Sequence, residues 1–174
     1  MKSIVVDDYF DDPYAIVEYS KQLQYFRRRP DQGWEGQRTQ DIASINRSFF
    51  VDVSTKLVLN YFDQSKKYYF KGHLNFHRLG DDDLQDPNWI HNKVHNDDYE
   101  MISIVYLSPN APMTSGTQLY RETEEGPVAD IVYHNKFNRL IQFPARQLHS
   151  AMDLSGGEED RLTLLFFLSE IREV

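Results

Sequence analysis

The sequence predicts a mainly β domain, a sandwich or jelly roll backed by helices at its N-terminal end. Three observations carry this. Apolar residues recur at helical spacing up to about residue 65 and alternate with period two beyond it. Six or more short apolar segments then follow, separated by proline, glycine and acidic clusters. The 174 residues contain no cysteine, so one domain of this size must hold together by its apolar core alone.

The elements follow in chain order. Ser3–Val6 reads as a short strand. Asp12 followed by Pro13 is a helix start, a side-chain cap and then proline at the first helical position. Ile16, Tyr19, Leu23 and Phe26 continue that helix to about Phe26. Pro30, Gly33 and Gly36 mark residues 30–44 as a loop. Phe50, Val53, Leu57 and Tyr61 share one face of a second helix over Ser48–Asp63. Tyr68 to Phe76 is strand-like, and Glu100–Leu107 is a strong strand rich in β-branched residues. Thr117–Tyr120 is a short strand and residues 122–127 an acidic loop. Val128–Lys136 is ambiguous and fits a short helix. Arg139–Phe143 and Leu162–Leu168 complete the strands. The whole chain, 1–174, is expected to be one domain, with a helical part over 1–65 and a β core over 66–174.

Composition limits the function. Without cysteine there is no thiolate metal site, iron–sulfur cluster or cysteine nucleophile. A balance of 19 basic against 27 acidic residues opposes nonspecific binding to nucleic acid. The basic run Arg27-Arg28-Arg29 reads as a solvated helix end, with a phosphate site as the rival reading. No membrane span or signal-peptide core is visible, so a soluble cytoplasmic protein is expected. There is no glycine-rich phosphate loop and no G-x-S-x-G nucleophile motif.

The chemistry rests on histidine and carboxylate. A non-haem Fe(II) facial triad needs two histidines and one acid on one octahedral face. His-x-Asp in extended chain supplies two of them, because residues i and i+2 point the same way. Of six histidines, only His95 has an acid two places on, Asp97. Roughly one such match arises by chance at this spacing, so the pair alone carries little weight. Its context adds to it. The pair precedes the strand EMISIVYL, and His149 follows the strand RLIQF. Arg161 opens the apolar strand LTLLFFL, where it can pair bidentately with a carboxylate, and Thr163 faces the same side.

With these residues in order, the chain resembles the 2-oxoglutarate- and Fe(II)-dependent oxygenases of the prolyl-4-hydroxylase-like group, and small bacterial and phage members in particular. VVDDYFDDPYAIVEYSKQLQY and WEGQRT resemble the N-terminal part of that family. VHNDDYEMISIVYLSPNAPMTSGTQLYR resembles its first metal-ligand strand, NRLIQFPARQLHSA its distal-histidine strand, and RLTLLFFL its last core strand. The resemblance implies a double-stranded β-helix, a cupin-like jelly roll. It implies His95, Asp97 and His149 as iron ligands and Arg161 as the residue holding the far carboxylate of 2-oxoglutarate. Thr163 and Tyr106 would line the co-substrate pocket. The implied activity is hydroxylation of a small-molecule or peptidyl substrate, with succinate and CO₂ as co-products.

The chain departs from the family at one place. Trp89-Ile90-His91 also resembles the approach to the first ligand, yet Lys93 stands where the acid would be. If His91 is the aligned residue, the fold persists as a catalytically degenerate binding or structural protein. A different metal enzyme on the same fold is a third reading, in which Arg161 has no evident task. His73 and His77 read as strand residues, His134 as exposed, and Trp34 and Trp89 as packing or loop anchors that are able to cover a pocket. The sheet edges permit a homodimer without requiring one.

Overall fold

The computed structural model describes residues 2–27, 34, 36–80, 83, 93–152 and 160–174. Three helices and ten strands are seen among them. The helices are α1 (Pro13–Lys21), α2 (Ile42–Ile45) and α3 (Arg47–Tyr61). Seven strands form one sheet in the order β1 (Ile4–Val6), β8 (Leu140–Pro144), β5 (Met101–Tyr106), β10 (Arg161–Glu173), β4 (Tyr68–Leu79), β3 (Gln37–Thr39) and β2 (Tyr25–Arg27). A smaller sheet runs β7 (Gly126–Tyr133), β6 (Thr117–Thr123), β9 (His149–Ala151). All pairings are antiparallel. This is the jelly roll expected from the sequence.

The large sheet is apolar on both faces, which is why EMISIVYL and LTLLFFL lack a clean alternation. One face carries Met101, Val105, Leu164, Phe166 and Leu168 against the helices. The other carries Ile102, Ile104, Tyr106, Ile141, Phe143 and Leu165 toward the small sheet. Helix α3 buries Val53, Leu57, Val58 and Tyr61 on the first face. Burying each of the three aliphatic side chains, Val53, Leu57 and Val58, stabilises the fold by about 1.5–3 kcal/mol. A buried polar link fixes the helix in register. Gln142 Nε2 donates to the Leu57 carbonyl and to Ser103 Oγ, both at 2.9 Å, and Asn60 Nδ2 donates to Gln142 Oε1 at 2.6 Å. With every partner satisfied, this network specifies one docking of helix on sheet.

Helix starts match the sequence and helix ends do not. Asp12 Oδ1 accepts from Ala15 N at 3.0 Å, with Pro13 in the first turn. The helix stops at Lys21, however, and Phe26 lies in β2, paired with Arg38. Strand pairing overrides the helical spacing of Leu23 and Phe26. Arg27 is therefore a strand residue, ion-paired to Asp83 at 3.1 Å, and not a helix end; Arg28 and Arg29 lie outside the described residues. The segment expected to be a loop contains β3 and α2. Val128–Lys136 is no helix: its first six residues, up to Tyr133, belong to β7, which returns from β6 through a turn at Glu124-Glu125. Gly126 takes φ 115°, a value that side-chain-bearing residues rarely adopt, and this lets the acidic stretch close as a hairpin.

One ion cluster ties the N-terminal strand to the sheet. Asp7 accepts from Arg139 Nε at 2.6 Å and from Lys136 Nζ at 2.9 Å. The Arg139 hydrogen bond, followed by that of Lys136, holds the Asp7 carboxyl far below its ordinary value. A depressed folded-state value stabilises the fold above the unfolded value of 3.8, and the effect is lost as pH falls through the folded one. The cluster is half in water, so its contribution is at most about 1 kcal/mol. Asp7→Asn is expected to lower stability by that order at pH 7 in urea unfolding. The gap to wild type should begin to narrow near the unfolded value of 3.8 and go on narrowing as pH falls toward the folded one, and a gap that does not change with pH over that range would contradict the ion-pair origin.

Candidate metal centre

Two histidines far apart in sequence are joined by backbone. His95 N–H donates to the His149 carbonyl at 3.0 Å and His149 N–H donates to the His95 carbonyl at 2.8 Å. Asp97 N–H donates to the Ala145 carbonyl at 2.9 Å. The segment around His95 thus runs antiparallel beside β9 and extends the small sheet. A pair that exchanges both hydrogen bonds places its two side chains on the same face. Asp97, two residues on, returns to that face.

The side chains converge accordingly. One ligand atom from each of His95, Asp97 and His149 lies within 4.8 Å of the others. His149 Nε2 stands 3.4 Å and His95 Nε2 3.9 Å from Asp97 Oδ2. Both imidazoles are oriented from behind. His95 Nδ1 is 2.9 Å from the Lys93 carbonyl and His149 Nδ1 is 2.7 Å from the Gln147 carbonyl. A carbonyl only accepts, so each Nδ1 carries a proton and each Nε2 is left to present its lone pair. Three lone-pair donors facing one point repel unless a cation or a proton lies between them. Two imidazoles and a carboxylate are the donors of a facial site for a divalent transition metal, so the residues present fit such an ion.

Electrostatics favour the metal-ready protonation state. Burial pushes His95 down, outweighing the Lys93 carbonyl and the charge of Asp97, so the ring stays neutral. Burial pushes Asp97 up, but while the imidazoles are protonated the His149 hydrogen bond and the charges of His149 and His95, together with Arg38, hold it below the ordinary carboxylate value. Neutral imidazole and ionised carboxylate are the forms that ligate.

The inner face of the large sheet continues from this centre. Arg38, His77, Thr163 and Tyr106 sit directly opposite one another on β3, β4, β10 and β5, in one cross-strand row. Arg161 is two residues before Thr163 on the same face. Arg161 is 8% exposed, and its Nε donates to the Ser115 carbonyl at 2.7 Å. Its guanidinium lies 5.4 Å from the Tyr106 ring centre. Burial lowers Arg161, and no carboxylate among the described residues opposes that. Tyr106, fully buried and raised by burial, donates from its hydroxyl to Thr117 Oγ1 at 2.8 Å. A buried cation without an anion is destabilising unless a ligand supplies one.

A family profile matches residues 1–130, with the description "Family of unknown function (DUF6445)". The chain belongs to DUF6445. No curated protein sequence matches this DUF6445 member. Solved structures share its fold. The epimerase SnoN in complex with Fe3+, alpha ketoglutarate and nogalamycin RO has TM-score 0.68 at 12% identity, covering 98% of this chain and 80% of that one. An oxidoreductase of the 2OG-Fe(II) oxygenase family from Burkholderia pseudomallei has TM-score 0.63 at 14% identity, over 96% and 84%. A Pseudomonas putida prolyl-4-hydroxylase has TM-score 0.58 at 12% identity, over 97% and 92%. The DUF6445 chain therefore has the jelly roll of the 2-oxoglutarate/Fe(II) oxygenases.

Of the residues singled out in the sequence, the fold brings His95, Asp97 and His149 into one cluster and puts Arg161, Thr163 and Tyr106 together on the inner sheet face. His73 and His77 lie on β4, and His134 is exposed. His91 and Trp89 lie outside the described residues. Sequence reasoning missed Arg38, whose charge acts on Asp97. Burial pushes Arg38 down to about 10. The only signal in the sequence was its place in WEGQRT, a strand too short to show a period.

The Ser115 carbonyl that receives Arg161 is held by a close crossing. A Cβ on Gly116 would lie 1.9 Å from the Tyr133 carbonyl oxygen and 2.9 Å from Asn135 N. Backbone on both sides leaves no room to relax. Gly116→Ala is expected to destabilise the protein by about 2 kcal/mol or more in urea unfolding. Wild-type stability in this variant would contradict the crossing.

Proposed function

We propose that this protein is an Fe(II)- and 2-oxoglutarate-dependent dioxygenase, acting as a hydroxylase on a small-molecule or peptidyl substrate. The observation that carries the reading is the pairing of a His-Asp-His cluster with a buried arginine that has no acidic partner among the described residues, on an oxygenase jelly roll. His95, Asp97 and His149 would hold the iron. Bound iron would supply O₂ activation coupled to oxidative decarboxylation of 2-oxoglutarate to succinate and CO₂.

The chain's own residues serve binding and orientation. Lys93 and Gln147 fix the imidazole rings through their carbonyls. Arg161 would take the far carboxylate of the ketoacid, with Tyr106 and Thr163 beside it. Thr117, bonded to Tyr106, and Leu119, paired with His149, are two residues apart on β6. Two strand steps are about 7 Å, so β6 carries a contact to Tyr106 and the partner of His149 on one short stretch. Ile102, Ile104, Phe143 and Leu165 keep that interior apolar and exclude water.

Lys93 is the observation behind the degenerate reading. Its carbonyl orients His95, a backbone role that any residue type can fill. The test needs no substrate. Anaerobic addition of Fe(II) and 2-oxoglutarate to metal-free protein is expected to give the weak visible charge-transfer band of the chelate. Asp97→Ala should lose the band, and Arg161→Ala should weaken 2-oxoglutarate binding ten- to hundredfold, the scale of a charged hydrogen bond. A folded wild-type protein with no band would sink the oxygenase reading.

A further inference from the structure

Arg38 stands at the β3 end of the inner-face row that Thr163 and Tyr106 continue on β10 and β5. It pairs with His77, which pairs with Thr163. Its guanidinium lies 4.6 Å from the Trp34 ring centre and 5.4 Å from that of Phe167. Aromatic contacts of this kind engage the faces of the guanidinium and leave its in-plane N–H donors for other partners. Nε is enclosed and has no hydrogen-bond partner among the described residues. An enclosed charged donor without a partner is costly, by about 1–3 kcal/mol or more. Asp97 is the carboxylate whose charge reaches it, and Asp97 is committed to the His-Asp-His cluster.

We propose that Arg38 is the specificity-determining residue for the primary substrate, receiving a carboxylate of that substrate beside the metal centre. The inference deepens the oxygenase reading and rests on it. Arg161 lies in its own position on β10, held by Ser115 and Tyr106, so the two cations form separate anion sites. Only an in-plane approach suits Arg38, which favours a planar group that bonds two N–H donors together. With a net charge of −8, the protein repels small acids elsewhere, and a local cation is what would admit one. The carboxylate is that of a free small acid or of a peptide C-terminus, which share this chemistry.

The test uses intact protein loaded with Zn(II) and 2-oxoglutarate, with tryptophan fluorescence as the readout, since Trp34 lies against the guanidinium. The probes are N-acetyl amino acids, their methylamides, and pentapeptides with free or amidated C-termini. Carboxylate probes are expected to give a saturable change, at least tenfold tighter than their amides. Arg38→Gln should weaken them by tenfold or more with Zn(II) still bound, and an unchanged far-UV circular dichroism spectrum reports that the variant is folded. Arg38→Lys, which keeps the charge but not the fork, should fall between. Peptides binding better than N-acetyl amino acids would identify the chain end as the source of the carboxylate. Equal binding of acids and amides, or no saturable change, would overturn the proposal. So would an Arg38→Gln variant that keeps Zn(II) but loses 2-oxoglutarate as fully as Arg161→Ala does, because Arg38 would then belong to the co-substrate. Failure of wild type to bind 2-oxoglutarate with Zn(II) would instead strike the oxygenase reading. The acid-against-amide comparison on Zn(II) protein alone would still decide the role of Arg38.

Discussion

Two backbone hydrogen bonds exchanged between His95 and His149 are the constraint on which the candidate site depends. They join a segment ahead of β5 to the start of β9, and so put two imidazoles on one face of the extended small sheet. Everything else at the centre follows from that register. Asp97 reaches the same face because it is two residues along, and the Lys93 and Gln147 carbonyls behind each ring set its tautomer. A slip of one residue would turn either histidine away.

The large sheet provides the second half of the design. It is sandwiched between the helices and the small sheet, and its two faces divide the work. The outer face is a conventional core, fastened by the Gln142 network. The inner face is where polar groups are tolerated. Arg38, His77, Thr163 and Tyr106 form a row across four strands. Arg161 continues it without an acidic partner among the described residues. Buried guanidinium groups of this kind are poor stabilisers. Arg38 acts on Asp97 of the three-donor cluster, and Arg161 lies on the same inner face.

Much of this was legible in the sequence because strong strands announce themselves. EMISIVYL and LTLLFFL located β5 and β10, and the positions of His95, Asp97, His149 and Arg161 relative to those strands gave the order of the site. Short elements were not legible. The strands β2 and β3 have three residues each and owe their conformation to pairing with neighbours, so Phe26 looked helical and Arg38 went unnoticed. The hairpin of β6 and β7 was hidden for a related reason. Its outward residues, Val128 and Val132, are as apolar as the inward Ile131 and Tyr133, which blurs the alternation.

The direct test of the central claim is the state of the imidazole nitrogens. In ¹⁵N-histidine-labelled protein, long-range ¹H–¹⁵N correlation spectra distinguish the tautomers of all six histidines. His95 and His149 are expected as Nδ1–H forms, and one equivalent of Zn(II) should shift Nε2 of those two and leave His73 and His134 in place. A Zn(II) response centred on other histidines, or Nδ1 as the responding atom, would contradict a centre built on the His95–His149 pair.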